Sequence, residues 1–108
     1  MIRNPITIAN HVSWFDFNYL NSVFRLHSPI AKIEVQKIFG LNVICEYGQS
    51  VYVDRTATNG RHCIFEAIKN RINEFQQCKD DTVNPILIFP EGTVSNGRAL
   101  MTFKNGAF

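Results

Sequence analysis

Asn10-His11-Val12-Ser13-Trp14-Phe15-Asp16 places an imidazole five residues before a carboxylate, with a hydroxyl between them. Ser13 followed by Asp16 has the form of an N-terminal capping box. His11 is therefore expected just after a strand, Ile6-Thr7-Ile8-Ala9, and just before a helix running from Ser13 to about Leu26. The first turn of that helix can fold the carboxylate back toward the ring. An aspartate that holds one ring nitrogen fixes the tautomer and leaves the other nitrogen as a base. Such a base can take a proton from an attacking hydroxyl, a contribution of about 10²–10⁴ in rate. Taken alone, a His-x4-Asp pair is more often an ordinary helix start whose aspartate merely caps.

Further polar residues follow other expected strands. Phe89-Pro90-Glu91-Gly92-Thr93 sets a carboxylate, a glycine and a hydroxyl after an apolar run, and the glycine lets backbone donors come close to a ligand. A plain turn with a solvated Glu91 reads equally well from these residues alone. Val53-Asp54-Arg55 carries an arginine suited to bidentate phosphate or carboxylate recognition, though a surface pair with Asp54 is the simpler reading. Lys32 could add a second cation, and by itself is an ordinary exposed lysine. The set carries more than its members: a potential base, two cations and a Glu-Gly-Thr turn stand in order at successive strand ends.

The elements that must position these residues alternate between short β-rich runs and helical ones. Strands are expected at 6–9, 30–33, 50–53 and 86–89, with a helical turn from Val35 to Phe39 that Gly40 ends. Gly60 to Gln77 is the clearest helix, with Ile64, Ile68, Ile72 and Phe75 at helical spacing and Arg61, Glu66, Lys69, Asn70 and Glu74 on the other faces. Lys79-Asp80-Asp81 reads as a solvated connection, and Gly92 and Gly97 bracket a loop. Ile86-Leu87-Ile88-Phe89 is a continuous apolar run, typical of a buried parallel strand. This alternation predicts an α/β fold with a mostly parallel sheet flanked by helices, in which ligands gather at the carboxyl ends of the strands.

Composition bounds the rest. A chain of 108 residues fits one domain, residues 1–108, and its 45% hydrophobic content allows a small core. A net charge of +2 with no basic run argues against nucleic acid as a partner. Cys45, Cys63 and Cys78 are odd in number and widely spaced, which argues against a disulfide framework or a metal site and for a reducing compartment. No leader is visible, and no stretch approaches the roughly 20 apolar residues of a spanning helix. Trp14, Phe15, Phe17, Tyr19 and Phe24 make the first helix aromatic-rich, and their spread over several faces predicts packing against the sheet.

With these residues in view, the chain resembles the glycerolipid acyltransferase superfamily. Residues 10–16 match its Asn-His-x-Ser-x-x-Asp block, and residues 89–93 its Phe-Pro-Glu-Gly-Thr block. Ala31-Lys32-Ile33-Glu34-Val35 is similar to its Lys-x-Glu-Leu segment, and Val51-Tyr52-Val53-Asp54-Arg55 to its Phe-Ile-x-Arg block. Ser95 to Leu100 and Phe103-Lys104-Asn105-Gly106-Ala107-Phe108 look most like the lysophosphatidylcholine acyltransferase branch. The resemblance runs from residue 10 to the last residue, and the order and spacing of the blocks make it specific.

The resemblance implies an acyl-CoA-dependent transfer of a fatty acyl group to the free hydroxyl of a lysophospholipid, in phospholipid synthesis or remodelling. His11 would be the general base and Asp16 would orient it. Arg55, Glu91, Gly92 and Thr93, with Lys32, would hold the phosphate and glycerol end of the acceptor. Acyl-CoA would be a co-substrate, with no metal and no resident cofactor. The resemblance also implies association with a membrane surface, the endoplasmic reticulum or another internal membrane, with the site open to cytosolic acyl-CoA. It further implies a catalytic core incomplete at both ends, since the family's membrane-anchoring helices lie upstream and its proline-containing fourth block downstream. Val94 replaces the arginine that many phosphatidic-acid-forming members carry after Glu-Gly-Thr, which favours an acceptor with a head group. Gly48 lies seven residues before Arg55, displaced from the family's glycine. A CoA-independent transacylase using the same His11 and Asp16, and a non-catalytic lipid-binding module, stand as alternatives.

Overall fold

A computed structural model describes residues 4–24, 26–54 and 56–104. Four parallel strands form one sheet in the order β1-β4-β2-β3, from β1 (Ile6–Ile8), β2 (Ser28–Lys32), β3 (Val51–Val53) and β4 (Ile86–Ile88). The helices are α1 (Asp16–Val23), α2 (Leu41–Tyr47) and α3 (Gly60–Gln77), with a 3-10 turn at Ile33–Lys37. The expected α/β class and mostly parallel sheet are what the chain forms.

β4 lies between β1 and β2 and is buried along its length, as a continuous apolar run requires. Ile68 of α3 packs on Ile86 and Ile88, with Ile6, Ile30, Ile64 and Ile72 around them. These residues come from three strands and one helix stripe, so a single apolar face of α3 closes the core. Every strand runs the same way, so the residues after Ile8, Lys32, Val53 and Ile88 emerge at one edge of the sheet. At the opposite edge Gln49, held at φ 56°, ties three segments together. Its side-chain oxygen accepts from Arg71 of α3 at 3.3 Å and from the Asn84 N–H at 3.2 Å, and its amide donates to the Thr82 carbonyl at 2.9 Å.

Three local expectations are corrected. α1 starts at Asp16, not Ser13, and ends at Val23, where Phe24 turns extended. The Asp16 carboxylate binds the backbone N–H groups of Val12 and Ser13, which holds those residues in a tight loop ahead of the helix. α2 was not expected: the 3-10 turn ends at Lys37 with Ile38 as its cap, short of Gly40, and Gly40, at φ 87°, stands at the head of the new helix. The aromatic residues of the first helix do not pack against the sheet. α1 has no buried residue, and Trp14 (75%), Phe15 (66%), Tyr19 (66%) and Phe24 (63%) are exposed. Phe17 makes the close approach instead, meeting the end of α2 at Gly48.

That approach needs a glycine for space alone. Gly48 has an ordinary φ of −75°, but a Cβ there would lie 2.8 Å from Phe17 Cζ and 3.3 Å from the His27 carbonyl oxygen. Gly48→Ala is expected to lower stability by about 1–3 kcal/mol through overpacking, measured by urea unfolding. An unchanged midpoint would show that α1 shifts away at no cost.

Candidate active site

The segment after β1 delivers His11 to the strand-end edge, and three kinds of contact fix it there. Its N–H donates to Glu91 Oε1 at 2.9 Å, and its carbonyl accepts from the Ser95 N–H at 2.8 Å. Its ring stacks on Phe89 with centroids 4.1 Å apart and planes 17° from parallel. Its Nδ1 lies 3.1 Å from Asp16 Oδ2. Backbone, ring face and one ring nitrogen are thus all held, and among the described residues Nε2 has no hydrogen-bond partner.

Asp16 both ties the loop ahead of α1 and orients the imidazole. The one oxygen Oδ2 takes the Val12 N–H at 2.7 Å, the Ser13 N–H at 2.8 Å and the imidazole. Burial works to raise the pKa of this carboxyl, but the two N–H groups and His11 outweigh it and hold it below the usual carboxylate range. An ionised carboxylate can only accept, so the shared proton belongs on His11 Nδ1 and Nε2 carries the lone pair. The six residues His11–Asp16 thus set the tautomer of the imidazole without any distant partner.

Glu91 supplies the distant partner for the backbone. It is 2% exposed, and its second oxygen accepts from the Met101 N–H at 3.0 Å. Glu91, expected to help hold the acceptor, stands here against the backbone of two chain segments. Its two oxygens are engaged by backbone N–H groups of His11 and Met101, which hold its carboxyl below the usual range. A buried carboxylate persists when donors satisfy it, and here those donors join the end of β1 to the segment after β4.

A groove of about 1100 Å³ opens beside His11. Ile64, Phe65 and Ile68 of α3, Leu87 and Ile88 of β4, and Thr102, Phe103 and Lys104 line it. Arg61 and Gly92 also line it. Of the expected site residues, the structure brings His11, Asp16, Glu91 and Gly92 together. Lys32 is exposed at the end of β2 on the same edge and does not line the groove, nor does the exposed Thr93. Arg55 lies outside the described residues. Sequence reasoning gave no role to Arg61, Phe89 and Lys104 in this site. The Phe103-Lys104 pair was visible within a family-like segment, but nothing in its local pattern pointed toward His11. Among the described residues no group of His, Cys, Asp and Glu could hold a metal ion, and no disulfide joins Cys45, Cys63 and Cys78.

The depressed carboxyls fix the sign of a pH effect. A group whose folded pKa is lowered stabilises the fold above its unfolded value, and that contribution is lost as pH falls through the folded value. Glu91→Gln keeps the shape but turns one acceptor into a donor facing an N–H. It is expected to lower the melting temperature by several degrees at pH 7, with the gap from wild type closing as pH drops below about 4. Differential scanning calorimetry across pH 3–7 measures this, and a gap independent of pH would contradict it.

Comparison with known proteins bears on this geometry. A family described as Acyltransferase matches residues 2–108. A lysophospholipid acyltransferase of Arabidopsis thaliana (LPEAT1) is 36% identical over 98% of this chain and 26% of its own length. Human lysophosphatidylcholine acyltransferase 1 is 33% identical over 95% of this chain and 18% of its own length. The crystal structure of the 1-acyl-sn-glycerophosphate (LPA) acyltransferase PlsC from Thermotoga maritima superposes with a TM-score of 0.66 at 30% identity, over 97% of this chain and 38% of that one. The chain therefore spans about a quarter or less of the length of these two curated relatives. With the match covering nearly every residue and the strand-end site built from the matching motifs, the chain belongs to the glycerolipid acyltransferase family, with lysophosphatidylcholine acyltransferase-like relatives.

Proposed function

We propose that the protein carrying this chain transfers a fatty acyl group from acyl-CoA to the free hydroxyl of a lysophospholipid, with His11 as general base. One observation carries the reading: an imidazole fixed by Asp16 and Phe89, its Nε2 without a partner among the described residues, lining an apolar groove. Nε2 takes the proton of the acceptor hydroxyl as its oxygen attacks the thioester carbonyl. The tetrahedral adduct then collapses, the carbon–sulfur bond breaks, and the CoA sulfur leaves with the proton returned by His11. The imidazolium formed in between is stabilised by the Asp16 carboxylate. No acyl-enzyme is needed, because both substrates meet at one base and their positioning supplies much of the rate. Arg55, Glu91, Gly92 and Thr93, with Lys32, are proposed to hold the acceptor's phosphate and glycerol end.

The substrates belong at a lipid surface, and the exposed aromatic residues beside His11 support membrane contact there. Trp14 and Phe15 stack with centroids 5.9 Å apart and stand open to solvent. Aromatic side chains of this kind settle at lipid interfaces. No helix among the described residues is long and apolar enough to cross a membrane. Replacing Trp14 and Phe15 with Ala is expected to weaken co-sedimentation of the full-length protein with phosphatidylcholine vesicles several-fold. Unchanged co-sedimentation would place membrane contact elsewhere.

CoA-thiol release by the full-length protein in detergent micelles tests the chemistry, using oleoyl-CoA and a panel of lysophospholipids. Release that requires an acceptor and falls about 10²–10⁴-fold in His11→Ala is the expected result. Asp16→Asn can keep the contacts to Val12 and Ser13 but loses the charge. It is expected to cost roughly tenfold or more in kcat with little change in melting temperature. If wild type releases no CoA with any acceptor, the acyl-CoA reading fails. Transfer from a phospholipid donor alone would then identify a transacylase, and binding without transfer a lipid-binding module.

A further inference from the structure

Lys104 has no part in the chemistry above, yet it lines the same groove. Its backbone is fixed, with its N–H donating to the Pro90 carbonyl at 2.8 Å. Three residues earlier the Met101 N–H is held by Glu91. The strap 101–104 is therefore tied twice to the Pro90-Glu91 turn, the turn that also holds His11. The Lys104 side chain then runs over Gly92. A Cβ on Gly92 would lie 2.8 Å from Lys104 Nζ, 3.0 Å from Cε and 3.2 Å from Cδ. The space a side chain would fill at position 92 is occupied by the end of a lysine.

No described residue of the site matches the charge on that lysine. Among the described residues Lys104 makes no ion pair. The nearby carboxylate, Glu91, is buried and engaged by two backbone N–H groups. A lysine kept for solubility needs neither a pinned backbone nor a glycine beneath it. One that meets an anion in the groove needs both, because the ammonium must arrive at a fixed place beside the base.

We propose that Lys104 is a further phosphate-holding residue, its ammonium binding a phosphate ester of the substrate beside Gly92 while His11 works on the adjoining hydroxyl or thioester. This rests on the acyl-transfer reading for the identity of the substrate, and not for the presence of an anion site. Two substrates carry phosphate, the lysophospholipid acceptor and acyl-CoA. Glycine at position 92 follows from the proposal: a methyl group there would push the ammonium off its place as well as strain the backbone at φ 72°.

Steady-state kinetics of the full-length protein test it with Lys104→Met, which keeps the apolar stem, and Lys104→Arg, which keeps the charge. A charge-assisted hydrogen bond of ordinary strength predicts a KM raised about 10- to 100-fold for one substrate in Lys104→Met. Change in kcat should be far smaller, and Lys104→Arg should recover most of the loss. If the raised KM is that of the lysophospholipid, a monoacylglycerol acceptor, which lacks phosphate, should be used equally by wild type and variant. If it is that of oleoyl-CoA, the donor's phosphate is the one held. Unchanged KM for both substrates overturns the proposal, as does an equal loss with the phosphate-free acceptor. Gly92→Ala should cost less in the Lys104→Met background than in wild type, since the contact it disturbs is already gone. Should wild type show no transfer from acyl-CoA, the proposed function fails separately. Titration with a fluorescent lysophosphatidylcholine then decides the anion site: weaker binding to Lys104→Met supports it, and equal binding overturns it.

Discussion

The site depends on one buried carboxylate. Glu91 lies at the turn after the central strand and accepts the N–H of His11, eighty residues earlier, and of Met101, ten residues later. A carboxylate excluded from water is costly unless donors replace the water it has lost. Here the donors are backbone groups at the two chain segments that must be brought to β4. Each would be an unpaired N–H near the groove if Glu91 were absent. The Ser95 N–H to the His11 carbonyl and the Lys104 N–H to the Pro90 carbonyl complete the same lacing. The sheet brings strand ends to one edge; this lacing decides where on that edge the base stands.

Position and orientation of the base are set by different means. Glu91 holds the His11 backbone and the stack on Phe89 limits the ring's tilt, both through long-range contacts. Asp16 sets the ring's rotation and its tautomer, and does so within the six residues His11–Asp16. The loop is preorganised by the carboxylate that orients the base, because Oδ2 also binds the Val12 and Ser13 N–H groups. Loss of the long-range lacing would therefore displace a base whose tautomer is still set correctly. Loss of Asp16 would free the ring in a place that is still right.

How much of this was legible in the sequence follows from the range of each interaction. α3 spans Gly60–Gln77 as expected, because a regular apolar stripe at helical spacing is recorded in the residues themselves. β4 was legible as a buried strand for the same reason. α2 was not, since Leu41-Asn42-Val43-Ile44-Cys45-Glu46-Tyr47 mixes β-branched and helix-favouring residues and takes its form from packing, with Cys45 buried. The start of α1 was misplaced because Asp16 spends its carboxylate on Val12 and Ser13, a use that a capping pattern does not separate from a helix beginning at Ser13. The His11–Asp16 pair was legible because both partners lie within one turn. The work of Glu91 was not, because its partners are backbone groups, which every residue has and no motif records. The aromatic face of α1 was misjudged because composition gives the residues but not the side on which they end.

The groove and the base together impose a shape on what can react. Ile64, Phe65 and Ile68 line the groove with apolar side chains, and Arg61, Lys104 and His11 line it with polar ones. A fully apolar ligand would leave the cations unmatched, and a small hydrophilic one would leave the apolar side chains wet, so neither uses the whole surface. A molecule with both a hydrocarbon chain and an anionic group matches both kinds of surface. The β1 and β4 ends place the imidazole among the residues that line the groove. The parallel sheet makes this arrangement economical, since one edge supplies both the base and the carboxylate that fixes it, and the helix that closes the core also lines the groove.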